Sequence, residues 1–171
     1  MSMHFFDRLK RQWRHWMSTT SKGKQAFSDD TLARLGQAIG AGEQRHRGEL
    51  RLIVEHAMPS DAIWDDMSCR QRAIALFAEH GVWDTEDNCG VLLYINLAEH
   101  KVEIVVDRAI GRKIDHGTWK QVCQGMTEGF ARGEFSASTL AAVEQINTLL
   151  AQHFPASGAR ANELPDHPIV L

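Results

Sequence analysis

The chain has 171 residues, of which 43% are hydrophobic, so one domain with a sizeable core fits it. A net charge of −3 excludes a chain built as a whole for nucleic acid. Cys69, Cys89 and Cys123 are odd in number and lack C-x-x-C spacing, which argues against a disulfide framework and for a reducing compartment. The nine histidines offer no pair at the i, i+3 or i+4 spacing that zinc uses on a helix. No apolar run approaches the roughly 20 residues of a bilayer span. The first residues lack the apolar stretch of about 7–15 residues that marks a secretory leader. The expected location is therefore cytoplasmic, with room for a peripheral position at the inner membrane.

Charge is unevenly spread. Residues 1–25 carry Arg8, Lys10, Arg11, Arg14, Lys22 and Lys24 against Asp7, while the remainder is acidic. A basic arm on an acidic body suggests a separate role for the arm. Within it, Phe5, Phe6, Leu9, Trp13, Trp16 and Met17 share one face of a predicted helix over 3–17, and the cations take the others. Such a helix suits an anionic membrane surface or a docking partner. Residues 18–25 read as a polar linker.

Capped by Asp29 or Asp30, a helix is predicted over 30–47, with Leu32, Leu35 and Ile39 as its stripe. ELRLIVE (49–55) reads as a strand. Pro59 breaks the chain, and a long helix over 61–80 is expected to bury Trp64, Met67, Ile74 and Phe77. GVWDTEDNC (81–89) is an acidic loop, and GVLLYINL (90–97) has the continuous apolar character of a central strand. A tight turn at 98–101 makes VEIVVD (102–107) its antiparallel neighbour. A helix over 116–132, capped by Asp115, should bury Trp119, Val122, Met126 and Phe130. The last helix, 137–153, should bury Leu140, Val143, Ile146 and Leu150 before Pro155 stops it. Residues 156–171 read as an extended tail. The organisation expected is an arm over 1–25, a domain over 26–155 and that tail. Trp64, Trp83 and Trp119 are all expected in the core, and Cys89 is expected buried and unreactive.

Chain direction carries the functional expectation. With a right-handed crossover, the strands 49–55 and 90–97 run parallel, and 102–107 returns. One edge then gathers Asp84, Glu86, Asp87, Asn88, Asp107 and Arg108, with Arg45, Arg47 and Glu49 arriving from the first helix. Clustered carboxylates repel unless a cation sits among them, and a hard cation with oxygen ligands, Ca²⁺ or Mg²⁺, is the natural counter-charge. The candidate ligands are Asp84, Asp87, Asn88 and Asp107. Arg108 would orient a phosphate, and Glu86 or His116 would supply acid–base work. The bland alternative is a solvated acidic loop, with Arg108 paired to Asp107.

The stretch GVWDTEDNCGVLLYINLAEHKVEIVVDRAIG, with ELRLIVE, RAIALF and LLAQHFP around it, resembles the TPM domain family over about residues 28–155. It is closest to the short bacterial members, and the ending LPDHPIVL matches theirs. The resemblance implies a three-layer α/β/α sandwich around a small mixed sheet, here with an extra N-terminal amphipathic helix. It also implies a divalent ion at the acidic cleft, and a metal-dependent, acid-phosphatase-like hydrolase acting on a phosphorylated small molecule. The family commonly has Asn-Gly where this chain reads Asn88-Cys89-Gly90, and a glycine where it has Ala109. The alternative is a non-catalytic module that docks through residues 3–17 on an anionic membrane surface or on a LemA-type membrane protein.

Overall fold

The computed structural model describes residues 2–17, 25–158 and 161–171, so the linker expected at 18–25 lies almost wholly outside the described residues. Three strands form the centre: β1 (Glu49–Glu55), β2 (Gly90–Asn96) and β3 (Lys101–Val106). β1 and β2 are parallel, with Glu49 opposite Gly90 and Glu55 opposite Asn96. β2 and β3 are antiparallel, with Val91 opposite Val106 and Asn96 opposite Lys101. Every residue of β1 and β2 is buried, as expected of strands covered on both faces.

Alternation along the strands splits the core in two. Leu50, Leu52, Val54, Val91, Leu93 and Ile95 face one helical layer. That layer is α2 (Asp29–Glu43), α5 (Arg108–Lys113), α6 (His116–Ala131) and α7 (Phe135–His153). Ile53, Leu92, Tyr94 and Val105 face the other, made by α3 (Ser60–Trp64) and α4 (Cys69–Glu79). The molecule is thus an α/β/α sandwich on a mixed sheet. On α6, the expected face of Trp119, Val122, Met126 and Phe130 is buried. On α7, Val143, Ile146 and Leu150 are buried and Leu140 is half-buried.

The single long helix expected over 61–80 is two helices. Asp66 takes a positive φ of 58°, a left-handed conformation that stops α3. Ser68 then starts α4 afresh through a capping box with Gln71. The break rotates the expected buried face outward. Trp64 is 42% and Ile74 49% exposed, while Met67 and Phe77 are half-buried. Trp83 is also exposed, at 54%, so only Trp119 of the three tryptophans is a core residue. Cys89 is buried as expected.

Two terminal segments complete the fold. α1 (Ser2–Met17) packs against α3. The tail is extended but joins the sheet: β4 (Ile169–Val170) pairs in parallel with Ile53 and Val54, giving the order β3-β2-β1-β4. Below β4, the Arg51 guanidinium donates to the carbonyls of Pro165 and, at 2.9 Å, His167, and Leu164 is buried in the α3–α4 core.

Candidate functional site

Because β2 leaves the rim where β3 arrives, the acidic loop and the end of β3 meet. The Asp107 N–H donates to the Gly90 carbonyl at 2.9 Å. The loop itself is held from within. Asn88 has φ 52° and its N–H reaches the Thr85 carbonyl at 3.1 Å, while the Cys89 N–H reaches Thr85 Oγ1 at 2.9 Å. Gly90 lies so close beneath the Val82 carbonyl that a Cβ there would overlap it. That contact packs the loop against the start of β2, and it explains why a glycine follows Asn88 and Cys89.

Asp107 is the distinctive residue of the rim. It is only 8% exposed. Its Oδ1 accepts the Arg108 N–H at 2.6 Å, as the cap of α5. Its Oδ2 is buried without a hydrogen-bond partner. An ionised oxygen in that position is costly unless something positive reaches it. The expected pairing with the Arg108 side chain is not what the fold uses: only the backbone amide reaches Asp107, and the guanidinium is exposed without an ion pair among the described residues.

The other candidates are spread around this point. Asp84 and Asn88 are exposed on the loop. Asp87 is half-buried and pairs with Arg47 Nη1 at 3.5 Å. Glu86 is exposed, and its N–H donates to Glu163 Oε2 at 2.8 Å. His116 is exposed at the start of α6, whose first turn is already served by Asp115: Oδ1 accepts from Gly117 and Oδ2 from Thr118 Oγ1. Between Asp107 and His116 stands all of α5. Among the described residues, no three His, Cys, Asp or Glu side chains form a ready-made metal cage. A hard cation also accepts amide and backbone carbonyls and water, and among the candidate ligands Asp107 Oδ2 is the buried oxygen without a hydrogen-bond partner, while the Asn88 amide is exposed on the adjoining loop.

Sequence reasoning missed the acids that the tail brings to this edge. Leu164 N–H donates to Glu49 Oε2 at 3.1 Å, and Asp166 approaches Gly40 and Glu43 from outside. Burial pushes the Glu43 carboxyl up to about 9, with Glu49 and Asp166 adding to the effect against the Leu50 N–H that it accepts at 3.0 Å. Glu49 is raised as well, mainly by burial. The apolar Ile169–Leu171 ending was the one hint in the sequence, and the two residues that pair as β4 are too few to read as a strand.

The opposite edge is built from closed pairs. Glu55, 1% exposed, accepts from Arg72 Nη2 at 2.7 Å and Nε at 3.0 Å and from Tyr94 Oη at 2.5 Å. Asn96 Nδ2 donates to the same Tyr94 oxygen at 2.9 Å. Nearby, Glu99 accepts from Arg11 of α1 and from the Cys69 thiol at 3.5 Å. Burial pushes that thiol up to about 12, which rules out a thiolate nucleophile at neutral pH.

Comparison with known proteins agrees with the architecture. The BA42 protein of the psychrophilic bacterium Bizionia argentinensis superposes with a TM-score of 0.71 at 22% identity, covering 84% of this chain and 94% of that one. The N-terminal domain of a P. gingivalis protein gives 0.61 at 15% identity, covering 77% and 82%. At these identities the likeness is one of fold. A search among curated proteins finds no match. The model of the TPM domain matches residues 21–149, most of the chain and all of the rim except the tail. The chain therefore belongs to the TPM domain family.

Proposed function

We propose that the rim between the acidic loop and the end of β3 takes up a divalent cation at Asp107 and uses it on phosphomonoesters. The observation behind this reading is the buried Asp107 Oδ2, which lacks a hydrogen-bond partner beside an acidic, oxygen-rich loop. Asn88, Asp84 and Asp87 are the further oxygen donors at hand, Asp87 only by leaving Arg47. A bound Ca²⁺ or Mg²⁺ would supply charge neutralisation of phosphoryl oxygens. The exposed Arg108 guanidinium would orient a phosphate by paired hydrogen bonds. Glu86 lies on the same loop for proton transfer, and His116 is the second acid–base candidate, one helix away. Turnover of p-nitrophenyl phosphate with added Mg²⁺ or Ca²⁺ tests the reading. It should appear in the native protein and fall at least tenfold in Asp107→Asn. Absent or equal turnover rejects it.

A second reading has its own support. On α1, Phe6, Leu9 and Trp13 remain 58%, 46% and 60% exposed although the helix is held against the body. Exposed Phe6, Leu9 and Trp13 on a helix that also carries exposed Lys10 and Arg14 suit a module docking on an anionic membrane surface or a membrane protein. Sedimentation with anionic vesicles should recover the full chain and not a form lacking residues 1–24. Equal recovery of both would reject the arm as the docking element. No described helix is long and apolar enough to cross a membrane.

A further inference from the structure

We infer that the C-terminal tail is a strap that positions the acidic loop: anchored along the edge of β1, it holds Glu163 against the Glu86 amide and so sets the arrangement of Asp84, Asp87 and Asn88 beside Asp107. The part that concerns a cation rests on the reading proposed above, and Glu163 enters it as a positioning residue that acts through the Glu86 backbone.

The first support is the way the tail is fastened. Arg51, in the middle of β1, is 8% exposed, and its guanidinium donates to the carbonyls of Pro165 and, at 2.9 Å, His167. A buried guanidinium is costly without acceptors, so charge as well as strand pairing fixes the tail's place. Leu164 is buried in the α3–α4 core while its N–H donates to Glu49 Oε2 at 3.1 Å. Asn162 Nδ2 closes the bend around these residues by donating to Asp166 Oδ1 at 2.6 Å. Beyond them Pro168 is buried, and the Leu171 N–H reaches the Val54 carbonyl at 2.9 Å. Glu163 is thus an exposed side chain on a backbone pinned from the next residue onward.

The second support is what the loop needs. Residues 85–88 form a turn closed by the Asn88 N–H on the Thr85 carbonyl. Such a turn uses the N–H of its fourth residue and leaves that of its second, here Glu86, without an acceptor inside it. Glu163 Oε2 supplies one at 2.8 Å. The turn is therefore closed from within by Thr85 and held from outside by the tail.

Charge shows how to separate positioning from a direct effect. Asp84, Glu86 and Asp87 already make the loop negative, so a further carboxylate beside it is repelled by its surroundings. The Glu86 amide and the pinned backbone behind Glu163 work against that repulsion. A glutamine at 163 keeps an acceptor for the Glu86 N–H and sheds the charge, whereas an alanine removes both. A residue that positions the loop tolerates the first change and not the second.

Amide hydrogen exchange and calorimetric titration with Ca²⁺ and Mg²⁺, both on the full chain, test this. Without cation, E163A should exchange the Asn88 and Cys89 amides about fivefold faster than the native protein, the effect of losing one exposed hydrogen bond, and E163Q should match the native protein. L164A, which loosens the anchor, should speed the same amides by a larger factor than those of Leu92 and Leu93 in β2, which report global stability. Cation affinity should fall by a similar factor in E163A, because binding must then order the loop, and stay native-like in E163Q. Unchanged loop amides in E163A or in L164A would overturn the strap. Equal loss of affinity in E163Q and E163A would overturn the positioning role and make Glu163 a charge acting on the cation directly. If the native protein binds neither cation while E163A still speeds the loop amides, the cation reading falls and the strap's hold on the loop stands.

Discussion

The two ends of the sheet handle buried carboxylates in opposite ways. At one, Glu55 is enclosed by Arg72 and Tyr94 with its oxygens occupied. At the other, Asp107 is nearly as deep, yet it spends one oxygen on an N-cap and leaves the second without a hydrogen bond. Burial alone therefore does not tell these two acids apart. The state of the last lone pair does: a closed network rigidifies a fold, whereas a buried oxygen without a hydrogen bond is the costly one, and it is the one to which the proposed cation is assigned.

The contrast can be broken at several points, in descending order of effect. Glu55→Ala strips the closed end of its buried anion and leaves Arg72 with the more exposed Glu79 at 4.0 Å in its place, so denaturant unfolding should show a loss of about 3 kcal/mol. Gly90→Ala forces a methyl group into the Val82 carbonyl at the open end, and the same measurement should show a loss of about 1–3 kcal/mol. Glu43 gives a pH effect. Its carboxyl sits near 9 in the fold against an ordinary 4.5, so the fold keeps a proton that the unfolded chain releases. That contribution is complete below pH 4.5 and is lost as pH rises toward 9. Glu43→Gln should accordingly flatten the decline of the melting temperature between pH 5 and 9. The smallest stability effect belongs to Asp107→Asn, under about 1 kcal/mol, because Asn caps a helix as well as Asp does.

Much of this contrast could be read before the fold was known. Chain direction alone brought residues 81–89 and Asp107 to one edge, since a parallel pair followed by a short hairpin admits little else. The apolar stripes of α6 and α7 were legible because their period is unbroken. The helix over 61–80 was not, because its break rests on Asp66 adopting φ 58° and on Ser68 recapping, while the apolar spacing continues across both. The tail was not legible either. A two-residue strand has too little pattern to see, yet it delivers Glu163 and Asp166 to the rim. The partnering of Asp107 was invisible for a different reason: whether a neighbouring arginine uses its side chain or its amide is decided by the backbone of α5, not by the order Asp-Arg.

Whether Asp107 holds a cation can be read from thermal unfolding of the native protein and of Asp107→Asn, titrated with Ca²⁺ and Mg²⁺. A ligand held by Asp107 Oδ2 raises the native melting temperature by mass action and leaves the variant unmoved. Equal shifts in both proteins, or no shift in either, would contradict it.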